Sequence, residues 1–174
     1  MVRAIFPGTY DPIHFGHIDI ANRASRLFDE LIVAVYDKPL KNLLFTPEER
    51  IKLAKDAFTE SKNIQIMGYS GLTVDFCQKI NAKVIVRGLR VFSDFEHEFR
   101  MALANKRLSD DIEVIALITS EENTFLSSST VKEIAVLHGD VSSMVPQHVA
   151  TAIRKKLYEL GEDQQVINQT SLRD

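Results

Sequence analysis

Three short segments of this chain carry residue types suited to holding phosphate. The first is Gly8-Thr9-Tyr10-Asp11-Pro12-Ile13-His14-Phe15-Gly16-His17, placed directly after the apolar run 2–6. It reads as a strand, a tight Pro/Gly turn, and a helix that opens close to Gly16-His17. The first turn of a helix presents N–H groups without intrahelical partners and a partial positive charge, which favours an anion. Gly16 lets a ligand approach the backbone, His17 adds a side-chain donor, and His14 is read as support for the loop. The second segment is Arg87-Gly88-Leu89-Arg90, two guanidinium groups flanking a glycine, each needing an anionic partner. The third is the run Phe125-Leu126-Ser127-Ser128-Ser129-Thr130-Val131-Lys132-Glu133. Its serines can cap a helix and can also offer hydroxyls and backbone donors to a terminal phosphate. Lys41 adds a fourth positive group.

These segments need a scaffold that brings them together. Candidate strands lie at 2–6, 31–36, 64–67, 83–86 and 112–118, and several are almost continuously apolar, as expected for parallel strands covered on both faces. Helix signals lie between them. Thr46-Pro47-Glu48-Glu49 is a capping box with proline at the first helical position. Ser93 with Glu96, and Thr130 with Glu133, repeat the pattern, and a shorter helix at 72–80 ends at Asn81. The expected class is α/β, a Rossmann-like doubly wound five-stranded parallel sheet with a C-terminal helical extension. That extension carries the stripe Val149, Ala152, Ile153, Leu157 and Leu160, with Gly161 as its expected stop. One domain over 1–160 and a polar, loosely held tail over 161–174 follow.

In open α/β sheets ligands bind beyond the carboxyl ends of the strands. Residues 9–17, Lys41, 69–73, 87–90 and 123–130 each follow a strand, so all fall on that one edge.

Composition narrows the classes further. The 174 residues include 21 Lys and Arg against 24 Asp and Glu, a formal charge of −3, so no general nucleic-acid or membrane surface is expected. The single cysteine, Cys77, excludes an internal disulfide and a multi-cysteine zinc site, and its context reads as a buried helix face. The first strand begins almost at Met1, and the longest apolar runs are too short to span a bilayer. A cytoplasmic protein without a signal peptide is the expectation. No Gly-x-x-x-x-Gly-Lys-(Ser/Thr) loop and no Gly-x-Gly-x-x-Gly after the first strand is present, against a P-loop kinase and a dinucleotide oxidoreductase. No general base stands beside Thr9 or His17. That suits a nucleophile already anionic, such as a phosphate monoester attacking the α-phosphate of a nucleotide, where positioning and charge neutralisation dominate.

His14-Phe15-Gly16-His17 resembles the (His/Thr)-x-Gly-His signature of the nucleotidylyltransferase superfamily. Ser128-Ser129-Thr130-Val131-Lys132 resembles its Ser-Ser-x-x-(Lys/Arg) partner. Together with Phe45-Thr46-Pro47-Glu48-Glu49-Arg50, Arg87-Gly88-Leu89-Arg90 and Asp94-Phe95-Glu96, in that order, the chain resembles the bacterial phosphopantetheine adenylyltransferase family from Arg3 to about Leu160.

The resemblance implies transfer of AMP from ATP to 4′-phosphopantetheine, releasing pyrophosphate and giving dephospho-coenzyme A, the penultimate step of coenzyme A synthesis, by in-line attack without a covalent intermediate. It implies that His17 holds the α-phosphate and stabilises the transition state. Thr9 and Lys41 would hold the acceptor phosphate, Arg87 would also bind the acceptor, and the Thr73 backbone would bind the pantetheine arm. Tyr10, Gly88, Leu89, Arg90 and Glu98 would contact ATP, with Arg90 on its phosphates. Asn123, Thr124, Phe125, Leu126 and Ser127 would complete the nucleotide side, and Ser128 and Ser129 would cradle pyrophosphate. His17, Lys41, Arg90 and Thr9 are the catalytic set. Mg²⁺ would bridge ATP phosphates with few protein ligands. A homohexamer and feedback by coenzyme A are also family implications. Asn123-Thr124 and His97 depart from residues common in relatives. Two alternatives remain open on sequence alone: another small nucleotidylyltransferase (glycerol phosphate with CTP, or nicotinamide mononucleotide with ATP), and a nucleotide-sensing protein without turnover.

Overall fold

The computed structural model describes residues 1–38 and 43–170, so Lys41 lies outside the described residues. Strands and helices alternate: β1 Arg3–Gly8, α1 Phe15–Ser25, β2 Glu30–Tyr36, α2 Pro47–Ala57, β3 Ile64–Tyr69, α3 Thr73–Lys79, β4 Val84–Leu89, α4 Phe92–Leu108 and β5 Glu113–Ile118. A 3₁₀ turn at Glu121–Asn123 precedes α5 Ser128–Val136 and α6 Gln147–Thr170. The five strands are all parallel, in the order β3-β2-β1-β4-β5. The strand order reverses between β1 and β4, and a crevice opens at that point in doubly wound sheets.

Successive strand residues point to opposite faces, and this splits the core in two. Ala4, Phe6, Leu31, Val33, Val35, Val84 and Val86 face α1, α2, α5 and α6, meeting Ile20, Leu53, Val131 and Ile153. Ile5, Ile32, Ala34 and Ile85 face the other way, onto Val74, Phe76 and Cys77 of α3. Cys77 is fully buried, as its context predicts, and burial pushes its thiol up to about 12. Helix α4 covers the same side but buries none of its described side chains.

Several boundaries differ from the sequence expectation. Strand β4 runs on to Leu89, so Arg87, Gly88 and Leu89 belong to its last residues rather than to the loop after it. The cap of α4 is Val91, not Ser93. Its opening is held instead by Asp94, whose carboxylate accepts the Arg90 N–H at 3.1 Å. The cap of α5 is Ser127, whose Oγ accepts the Thr130 N–H at 3.0 Å, rather than Thr130. At α5 several polar residues compete for one capping position, whereas at α4 the cap residue has no capping side chain and Asp94, inside the first turn, takes the preceding N–H instead.

Helix α6 does not stop at Gly161 but continues to Thr170, so 161–170 prolong the helix. An interior glycine costs only about 1 kcal/mol relative to alanine, too little to end a helix unaided. The expected start of α2 is observed in full: Thr46 Oγ1 accepts the Glu49 N–H at 3.3 Å, and Glu49 accepts the Thr46 N–H at 2.8 Å. Asn81 takes the left-handed conformation (φ 54°) after α3, as a helix-ending asparagine can.

Candidate active site

A cavity of about 650 Å³ opens at the carboxyl edge of β1 and β4. Its floor is the β1–α1 loop, which is tightly determined. Tyr10 is in the left-handed conformation (φ 53°), and its buried hydroxyl donates to the Phe6 carbonyl at 2.6 Å. Gly8 is required beneath it, since a Cβ there would sit 2.9 Å from the Tyr10 ring. The Asp11–Pro12 peptide is cis. The Asp11 carboxylate is buried and accepts from Leu44 N and Phe45 N, each at 2.9 Å, and from Lys132 Nζ at 2.8 Å.

His14 caps α1, and its ring stacks on that of His17 with centroids 3.6 Å apart. Burial, helped by the nearby charge of Arg90, lowers the His14 pKa to about 3, so this ring is neutral at physiological pH. The His14 N–H donates to His17 Nδ1 at 3.3 Å. A neutral His17 ring accepting at Nδ1 carries its proton on Nε2, as a donor. His17 lines the cavity at the opening of α1, where its own N–H donates to the His14 carbonyl and the Phe15 N–H to the Met144 carbonyl, each at 2.9 Å.

The far wall comes from β4 and α4. Arg87 donates from Nε and Nη2 to both oxygens of Glu98, each at 2.6 Å, and from Nη1 to the Pro7 carbonyl at 2.9 Å. Burial works against its charge, but the bond to Glu98 and its negative charge outweigh that and raise the Arg87 pKa. Arg90 makes the same fork to Asp94, with both bonds at 3.0 Å, and reaches the Leu126 carbonyl at 2.9 Å. Burial would raise the Asp94 pKa, yet its bonds to Arg90 hold it below the usual carboxylate range. Each guanidinium is thereby fixed in orientation before any ligand arrives.

The second helix N-terminus closes the site. Ser128 Oγ donates to the Pro12 carbonyl at 2.9 Å, docking the start of α5 on the β1–α1 loop. Thr73 opens α3, with its Oγ1 3.1 Å from the Tyr69 hydroxyl.

Of the residues expected from sequence, Thr9, Tyr10, His17, Thr73, Arg87, Gly88, Arg90, Glu98, Ser127, Ser128 and Ser129 all line this cavity. Leu89, Asn123, Thr124, Phe125 and Leu126 are not on its wall. Asn123 is buried and donates to Ser120 Oγ at 2.8 Å, Phe125 is exposed, and the Leu126 side chain belongs to the core.

Of one wall, sequence reasoning named only Glu98. Asp94, Glu98, Met101, Asn105 and Leu108 all face the cavity from α4. Their spacing of four, three, four and three residues places them on one helical stripe. That stripe mixes charged, polar and apolar residues, so it does not read as a core face. Among the described residues no group of three or more His, Cys, Asp or Glu is placed to hold a metal ion, and no helix is long and apolar enough to cross a membrane.

A parallel sheet with this strand order, and a cavity that two helix N-termini and two fixed guanidiniums share, is the architecture of a nucleotidyltransferase. Residues 5–134, from β1 into α5, match the cytidylyltransferase-like family. A solved structure from Vibrio parahaemolyticus, provisionally assigned as a nicotinate-nucleotide adenylyltransferase, has the same fold. It aligns with TM-score 0.66 at 20% identity, covering 88% of this chain and 99% of that one.

Similarity over nearly full length singles out one branch of the class. Phosphopantetheine adenylyltransferase of Herpetosiphon aurantiacus is 46% identical, covering 94% of this chain and 98% of the relative. That of Desulfitobacterium hafniense strain Y51 is 50% identical (92% and 98%), and that of Roseiflexus sp. strain RS-1 is 47% identical (89% and 97%). The chain belongs to the phosphopantetheine adenylyltransferase family and is an enzyme of the nucleotidyltransferase class.

Proposed function

We propose that the cavity transfers the adenylyl group of ATP to 4′-phosphopantetheine, giving dephospho-coenzyme A and pyrophosphate. The observation that carries this reading is the convergence of the α1 and α5 N-termini with Arg87 and Arg90 on one cavity. It gathers N–H and hydroxyl donors around one space in which two phosphate-bearing substrates can stand side by side, with each guanidinium held in place by its carboxylate. An oxygen of the acceptor's phosphate monoester attacks the α-phosphorus. The bond from that phosphorus to the bridging oxygen breaks, and pyrophosphate leaves with the electron pair. No proton has to be removed from the nucleophile, in keeping with a site whose histidines are donors and supports rather than bases.

In this reading His17 donates from Nε2 to the α-phosphate, where negative charge builds in the transition state. Thr9, Arg87 and Lys41 hold the acceptor phosphate, and the Thr73 backbone holds its arm. Arg90 binds the nucleotide phosphates, and Ser128 and Ser129 at the start of α5 receive pyrophosphate. Tyr10, Gly88 and Glu98 complete the nucleotide side. Leu89 and residues 123–127 flank it, with Ser127 fixing the α5 opening.

Mg²⁺ fits as an ion carried by the triphosphate, whose charge it would screen. Asp11, Asp94 and Glu98 each already face a lysine or arginine, leaving few protein oxygens to ligate it. The proposed setting is the cytoplasm and the proposed assembly a homohexamer, with coenzyme A as a feedback ligand. Exposed apolar residues on α4 and β5, including Phe92 at 88% and Ile118 at 73% exposure, support self-association.

The test is a substrate panel with pyrophosphate readout. Release is expected only when ATP, Mg²⁺ and 4′-phosphopantetheine are present together. Turnover with glycerol phosphate and CTP, or nicotinamide mononucleotide and ATP, but not with this pair, would defeat the assignment.

A further inference from the structure

Arg50 is the largest fully buried side chain among the described residues, with 0% exposure. A guanidinium so deep would ordinarily meet a carboxylate. This one donates instead to four backbone carbonyls: Thr9 at 2.7 Å, Tyr36 at 2.6 Å, Asp37 at 3.0 Å and Phe45 at 3.3 Å. Those oxygens belong to the β1–α1 loop, the end of β2, and both flanks of the β2–α2 connection in which Lys41 lies by sequence. Asp11 acts from the other side, taking the N–H groups of Leu44 and Phe45 while holding Lys132 of α5. Neither Arg50 nor Asp11 lines the cavity. Nor does the start of α2 depend on Arg50, because Thr46 and Glu49 already form its capping box.

We propose that Arg50, with Asp11 as its counterpart, is a positioning residue for adenylyl transfer. It fixes the loop that carries Thr9 and His17, through the Thr9 carbonyl, against Tyr36 and Asp37 at the end of β2 and Phe45 ahead of α2. The acceptor phosphate is thereby placed in line with the α-phosphate. This inference rests on the functional reading above. Its physical basis is the steep dependence of reactivity on placement, where an error of about 1 Å can cost on the order of 100-fold. The expected signature falls on the acceptor and on turnover, not on ATP binding.

The test compares the wild-type enzyme with Arg50→Lys, which keeps the charge but has three donors for four carbonyls in three segments. Pyrophosphate release is followed with ATP, Mg²⁺ and 4′-phosphopantetheine, each substrate varied in turn. For Arg50→Lys, kcat/KM for the acceptor is expected to fall by roughly 30-fold or more, with KM for ATP within about threefold. Leu53→Ala, a core truncation on the same helix, is the stability control and is expected to show no such split below its melting temperature. If Arg50→Lys does not fold by circular dichroism, Asp11→Asn carries the same comparison.

Loss of activity only in proportion to the folded fraction, equal rises in both KM values, or the same split in Leu53→Ala overturns the proposal. So does failure of both loop variants to fold. A wild-type enzyme inactive with this substrate pair sinks the functional reading, and this proposal with it. An active wild type without the split in Arg50→Lys sinks the proposal alone.

Discussion

Protonation of His14 should destabilise the fold in mild acid, by an amount the structure sets. The ring is buried between the Gly16 backbone and His17, with Arg90 close enough to oppose a positive charge, and its pKa falls from the ordinary 6.5 to about 3. Above pH 6.5 the ring is neutral in both folded and unfolded chains and has no effect on stability. Between pH 6.5 and 3 the unfolded chain binds a proton that the folded one refuses, so stability falls as pH falls. Each unit in that window costs about 1.4 kcal/mol, hence about 2 kcal/mol between pH 8 and pH 5. Other titrating groups add to the total, so the comparison is with His14→Asn, a neutral residue also suited to a helix N-cap. Urea unfolding at both pH values should show the wild type losing about 2 kcal/mol more than the variant. Equal losses in the two proteins would refute the account of a neutral, desolvated His14.

Three further outcomes are expected. His17→Ala should lower kcat by about 100- to 1000-fold with little change in ATP affinity, as removal of a transition-state donor does. An equal loss in ATP binding by calorimetry would make His17 a ground-state ligand. Ser127→Ala should cost about 1 kcal/mol in urea unfolding, since it removes the α5 cap, and no measurable loss would show the cap to be redundant. Cys77, with its thiol pushed to about 12 by burial, should be inert to dithionitrobenzoate in the native protein at pH 8 and react fully in urea. Rapid labelling of folded protein would contradict its placement.

The phosphate-handling half of the site was legible because local chemistry dictates it. A Pro/Gly turn after an apolar strand, a Gly-His at a helix start, and a serine run before a second helix each state their geometry within ten residues. Strand identity was equally plain for the central strands, which are buried on both faces and apolar nearly throughout, although the edge strands β3 and β5 are largely uncovered. Where sequence reading failed, the contest was in part among near-equal local options. Thr130 and Ser127 are near-equal caps by residue type, while Val91 precedes α4 despite being a poor cap because Asp94 takes the Arg90 N–H. Gly161 failed as a stop because its cost is small. Apart from Glu98, the α4 wall stayed hidden because a stripe that also takes in Asp94, Met101, Asn105 and Leu108 matches no single compositional pattern.

The amino-acid sequence by itself determined the parallel α/β architecture, the edge of the sheet on which ligands gather, and the presence of arginines that demand anions. Tertiary structure decided which carboxylate answers Arg87: Glu98 comes to it because α4 folds back along β4, whereas Asp94 meets Arg90 locally, four residues on. It also decided that Arg50 and Asp11, unremarkable within a helix and a turn, tie together loops more than thirty residues apart. The reason is physical. Apolar periodicity and helix-end chemistry are local and written in the neighbouring residues. The partner of a buried charge is set by how distant segments pack, and no short stretch of sequence records it.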